Sequence, residues 1–154
     1  MSEKSIIQKD LSGKIESSVA AIKALQAFRD AATYVLRNSP FPDNLDSATA
    51  VERIQVARSA VEEAYGTLTA KVPLDQIAEL HASKHTALKV EATVRALLHN
   101  RRTVPLLDRA TADTLSNAVH FLADGQSALR DLIQELQLEL SGIMVQHEVP
   151  SLDR

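Results

Sequence analysis

At 154 residues, 45% of them apolar and 24% charged, the chain is long enough for one domain with a continuous buried core and too apolar to stay unfolded. The absence of cysteine excludes disulfides, thiolate metal sites and a cysteine nucleophile, and a formal net charge of −3 gives no general attraction to nucleic acid or to an anionic membrane. Aromatic residues make up only 3% and Trp is absent, so the expected core consists of aliphatic seams of Ala, Leu, Val and Ile.

The N-terminal Met1-Ser2-Glu3-Lys4-Ser5 is not followed by the apolar core of a signal peptide. No apolar stretch approaches the roughly 20 residues that span a bilayer. The expected location is the cytoplasm, of a cell or of an infected host.

The first element is a long helix over about 3–38, in which Ile7, Leu11, Ile15, Val19, Ile22, Leu25, Phe28, Ala32 and Val35 recur at a mean step of about 3.5 residues. Asn38-Ser39-Pro40-Phe41-Pro42-Asp43-Asn44 ends it, because two prolines remove backbone donors and push the residues before them out of helical geometry. A second helix is expected over about 47–70, beginning near Ser47 or Thr49. Thr49 and Glu52 have the spacing of a capping box, and Val51, Ile54, Ala57, Val61, Ala64 and Leu68 form the apolar stripe. Gly66 either ends this helix in a left-handed cap or lets it run on to Lys71 before Pro73.

The third helix is expected over about 73–101, with Ile77, Leu80, Ala87, Val90, Val94 and Leu97 facing inward and Ser83 on the same stripe. A small polar residue there implies a close approach to a neighbouring helix. Arg101-Arg102-Thr103-Val104-Pro105 is the next break, and the fourth helix follows over about 106–141, with Asp113 as a possible cap for a fresh start after Thr111. Its stripe is Leu115, Ala118, Leu122, Gly125, Leu129, Leu132, Leu136, Leu140 and Ile143. The phase passes undisturbed through Gly125, which favours a close helix crossing over a break at Asp124-Gly125. Residues 142–154 form a tail that is either a frayed extension or a docking segment.

Successive segments alternate in net sign: residues 1–38 and 71–102 are positive, 39–70 and 103–154 negative. In an up-down-up-down bundle each helix then lies beside helices of opposite sign, and this selects partners more than it stabilises. The expected fold is all-α, an antiparallel up-down four-helix bundle with long coiled-coil-like helices in a single domain.

For chemistry, His81 and His85 stand one helical turn apart, with Glu79 nearby. Two imidazoles at that spacing can share a divalent ion, but a structural site needs four ligands, and the glutamate beside the first histidine of a zinc-protease helix is missing. Two solvated flank histidines are the preferred reading. A di-iron bundle needs a glutamate three residues before a histidine on two helices, and no glutamate here precedes a histidine that way. No nucleophile elbow and no phosphate-binding glycine loop is present. No cofactor and no catalytic constellation are expected.

Arg95, His99, Arg101 and Arg102 gather at the end of the third helix, with Lys84 and Lys89 upstream. Cations there complement the helix dipole, and the patch lacks the charge and stacking aromatics of a nucleic-acid binder; a phosphate or an acidic partner is the alternative. Phe41, held between two prolines, either anchors a partner or folds back over the open end of the bundle. Ile6 and Leu36, and on the fourth helix Ile133, Leu138 and Met144, fall off the main stripes and can serve a second interface.

The expectation is therefore a non-enzymatic helical interaction or structural component of a larger assembly, such as an adaptor, an inhibitor or a virion-type part. It would bind a protein partner or itself, through candidates Phe41, Arg95, Arg101, Arg102 and Met144. The alternatives are a metal-binding bundle using His81 and His85, and a nucleic-acid or phosphate binder at the basic end of the third helix.

Overall fold

In the computed structural model, residues 3–39, 41–42, 45–100 and 107–148 are described, with side chains through Ile143. Four helices account for nearly all of them: α1 (Glu3–Arg37), α2 (Ser47–Lys71), α3 (Ala78–His99) and α4 (Arg109–Glu148). A single 3₁₀ turn, Leu74–Gln76, precedes α3, and no strand occurs among the described residues.

The helix starts follow a local rule. Asp46 Oδ1 accepts a hydrogen bond from the Thr49 amide at 3.1 Å, and Asp108 Oδ1 accepts one from the Thr111 amide at 2.9 Å. Both sites read Asp-x-Ala-Thr, placing a short carboxylate where it meets an amide that has no partner within the helix. These caps replace the two expected ones: Thr49 lies inside the first turn instead of opening a box with Glu52, and Asp113 lies within α4. Gly66 does not end α2, which runs to Lys71 and closes with the Val72 amide on the Leu68 carbonyl. The segment after Pro73 winds as 3₁₀ first, so α3 starts later than expected, at Ala78. Helix α4 continues through both Gly125 and Gly142 to Glu148, so the first part of the expected tail is helical.

Pairwise contacts run in opposite chain directions along neighbouring helices. Lys71 Nζ meets Asp10 at 3.5 Å while Tyr34 Oη donates to the Asp46 carbonyl, which sets α1 against α2. Arg58 meets Glu91 while Tyr65 meets His81, which sets α2 against α3. The Leu107 amide donates to Ser39 Oγ while Gln126 reaches Ile22, which sets α1 against α4. Helix α1 packs most extensively on α4 and then on α2, and α3 packs on α4. The expected neighbours are thus neighbours. The charge pattern disfavours contact between the two positive helices, yet α1 touches α3 across the diagonal about as extensively as α2 does.

That short diagonal follows from side-chain size. Gly125 of α4 faces Ser83 of α3, and a Cβ built on it would overlap the serine hydroxyl and lie 2.9 Å from Ser83 Cβ and 3.6 Å from Leu25 Cδ1 of α1. Three helices meet where one has no side chain. Along the bundle the core holds Leu25, Phe28, Ile54, Leu68, Leu80, Leu98, Leu115, Leu122 and Leu129. In its first half α1 buries Leu11 and half-buries Ile15 and Ile22 as expected, but Ser18 and Ala21 also face the core, whereas Ile7 and Val19 are exposed. Ser18 Oγ donates to the Lys14 carbonyl at 2.8 Å, which lets a hydroxyl sit in an apolar seam. On α3 the inward residue is Leu98, and Leu97 lies at the edge.

Candidate functional site

A groove of about 1210 Å³ runs between α1 and α2. Small side chains line it because both helices carry alanine at helical spacing: Ala20, Ala24, Ala27 and Ala31 on α1, and Ala50, Ala57 and Ala60 on α2. Its rim alternates cations and anions, with Lys23, Asp30 and Arg37 from α1 and Glu52 and Arg53 from α2. Val56 stands on the α2 wall at 65% exposure, a large apolar side chain held out to solvent. Such an open channel lined by small side chains is suited to an extended apolar edge such as a helix.

The sequence-predicted residues fall elsewhere. Phe41 is buried, at 6% exposure, and belongs with Leu45 to the apolar core, so Phe41 is not presented to a partner. The physical reason is apolar burial at an open helical end, assisted by Tyr34 Oη, which ties Asp46 to α1. Arg95 is committed within the chain, to Glu91 at 3.3 Å. It also borders a smaller recess beside Ser47 and Val51. Arg101 and Arg102 lie outside the described residues, as does the side chain of Met144. Ile6 and Leu138 are exposed, the latter at 68%.

His81 and His85 are both exposed on α3, and Glu79 is exposed near its start. His81 Nδ1 lies 2.6 Å from Tyr65 Oη, and Lys84 Nζ sits 4.4 Å from the centre of the Tyr65 ring. The histidine is therefore engaged in an α2/α3 contact of modest strength. Among the described residues no three His, Asp or Glu side chains come together to hold a metal ion.

Besides Ser18, two buried polar residues escaped the sequence reading. Gln126 is 1% exposed: its Nε2 donates to the Ile22 carbonyl at 2.9 Å and to Gln26 Oε1 at 3.2 Å, and its Oε1 accepts from Arg29 Nη1 at 2.6 Å. Glu91 is buried between Arg58, at 3.6 Å, and Arg95. Neither has a signal in one sequence, since a Gln or Glu at a stripe edge is ordinarily solvated. Asp10, at the far end of the α1/α2 pair, has its carboxyl held below the usual value, chiefly by the hydrogen bond from Lys14 and further by Lys71.

No described helix is long and apolar enough to cross a membrane. Compared with known proteins, the chain matches no family model, no curated protein and no solved structure.

Proposed function

We propose that this chain is a non-enzymatic protein-interaction module that takes up a helix along the α1/α2 face. The single observation that supports this is the groove itself. Its floor of alanines permits close backbone approach, Val56 supplies exposed apolar surface, and charges of both signs stand along the rim to fix orientation. The bound helix would bury the exposed valine and the alanine edge while leaving the rim charges hydrated.

Affinity purification from the native host tests the reading, comparing the unaltered chain with Val56→Asp and Ala20→Arg. Both positions are exposed, so the fold is retained. A stoichiometric protein lost with both variants is the expected result. Retention of every co-purifying protein by both variants would remove the groove as the interaction surface. Metal that co-purifies and is lost on His81→Ala would shift the assignment to the histidine pair.

A further inference from the structure

We propose that the occupant of the α1/α2 groove is a second copy of this chain, whose α1 runs antiparallel along α1 about a two-fold axis near residues 26 and 27. This rests on the groove being a docking surface. The observation behind it is the order of charges on one edge of α1. Glu16, Lys23, Asp30 and Arg37 recur every seven residues, and therefore lie along one line of the helix, with signs that alternate strictly. All four are exposed, and Lys23, Asp30 and Arg37 line the groove.

Among the described residues nothing accounts for this order. None of the four has an opposite charge three or four positions away on α1, where a helical ion pair would form. No ion pair joins any of them to another described residue. Asp30 does accept a hydrogen bond from Gln26 Nε2 at Oδ1, which leaves its second oxygen for a cation.

The pattern is complementary to itself when reversed. An antiparallel second α1 that sets Lys23 against Asp30 of the other copy also sets Glu16 against Arg37, and the two-fold repeats both pairs. Four opposite-charge pairs result. Sliding the second helix by seven residues either way sets like against like, Lys23 against Arg37 and Asp30 against its own copy, or Glu16 against Asp30. The charges therefore specify a register as well as a direction. Between the charged lines lie Ala20, Ala27 and Tyr34, small enough along most of their length for the two backbones to come close, and Val56 of each copy is covered by the incoming α1. Because each α1 occupies the groove of the other, the contact is isologous and closes at two copies.

Sedimentation velocity over a concentration series tests this on the intact chain, with three variants whose altered residues are exposed and leave the fold in place. The unaltered protein is expected to dimerise, and more weakly as salt is raised. Lys23→Asp or Asp30→Lys alone creates two like-charge pairs and is expected to raise the dimer Kd about tenfold or more. The combined Lys23→Asp/Asp30→Lys chain is expected to regain the original affinity within about threefold. Mixing the two single variants is expected to give heterodimers in preference to either homodimer, since one chain then carries two anions and the other two cations at these positions.

A monomer throughout, or a dimer indifferent to these reversals, overturns the proposal. If the chain stays monomeric while Val56→Asp still abolishes a stoichiometric capture, self-pairing falls and the groove reading stands. If capture is also unaffected, both fall.

Discussion

Gln126 of α4 donates a hydrogen bond from Nε2 to the backbone carbonyl of Ile22 on α1, inside the most extensive helix pair of the bundle. That carbonyl belongs to a residue in mid-helix, and Gln26 and Arg29 complete the set around the amide. A buried amide with all these partners costs little where it is and much if moved. A shift of α4 along α1 would break these three hydrogen bonds, and a buried amide without partners is costly. Gln126 thus helps to fix the register of α4 on α1.

From that relationship, Gln126→Met, which keeps the volume and removes the bonds, is expected to cost about 1–2 kcal/mol, and Gln126→Ala about 2–4 kcal/mol because a cavity is added. Urea unfolding followed by circular dichroism gives both values. A methionine variant as stable as the parent would mean that the amide network contributes nothing net.

The contact of Gly125 with Ser83 predicts a contrast between glycines. Replacing an ordinary mid-helix glycine by alanine gains up to about 1 kcal/mol, and Gly66→Ala, with nothing within 4 Å of the new methyl, is expected to do so. Gly125→Ala is expected to lose about 1–3 kcal/mol, because the new Cβ meets Ser83 and helices packed on both sides resist moving apart. Ser83 Oγ is buried without a hydrogen-bond partner, so Ser83→Ala is expected to be neutral or stabilising and to recover part of the Gly125→Ala loss. Thermal midpoints of the three single variants and the Ser83/Gly125 double variant decide this. Additive effects at positions 83 and 125 would contradict the close approach.

How far the fold is legible in the sequence depends on the kind of information each feature uses. Helices and their order follow from apolar period and proline position, which are local, and the Ser83 and Gly125 crossing shows in both stripes as a small residue where a leucine would otherwise stand. Three features fail that test. In α1 the periodic count favours Val19 over Ser18, because it scores side chains and not the carbonyl of Lys14 that makes a buried serine tolerable. Glu91 and Gln126 owe their burial to groups on other helices, Arg58 in one case and Ile22 and Arg29 in the other. The groove is equally non-local: alanines on two helices form a channel only once α1 and α2 are side by side. The alternating charges of α1 are present in the sequence, but that they form no ion pair with another described residue is a property of the folded chain.

Glu91 predicts an asymmetry between losing an anion and losing its cations. The carboxylate is buried, while Arg58 and Arg95 are each partly exposed and can return to water. Glu91→Leu is therefore expected to change stability by no more than about 1 kcal/mol, since apolar packing replaces a desolvated charge. Removing both cations with Arg58→Ala/Arg95→Ala leaves the carboxylate buried and unpaired, and a loss of about 2–4 kcal/mol is expected. If the double arginine variant were no less stable than Glu91→Leu, Glu91 would have to be hydrated in the folded state.

The two aspartate caps set the behaviour in acid. Asp46 and Asp108 have their carboxyls held below the ordinary value of 3.8, chiefly by hydrogen bonds from Thr49 and Thr111 to the charged form. Because the folded state favours the carboxylate more than the unfolded chain does, this stabilisation is complete above the ordinary value and is lost as the pH falls through the lower folded value. Asp10 acts in the same direction through Lys14 and Lys71. The thermal midpoint is therefore expected to hold steady from about pH 7 to about pH 5 as far as these groups are concerned, and to drop below about pH 4. Asparagine keeps an oxygen that caps the helix but carries no titrating charge. In Asp46→Asn/Asp108→Asn the midpoint is expected to be slightly lower at neutral pH and to fall less between about pH 5 and pH 3, whereas alanine at the same two positions lowers it throughout. A double asparagine variant with the full acid sensitivity of the parent would place the acid-labile group elsewhere, with Asp10 the first to replace.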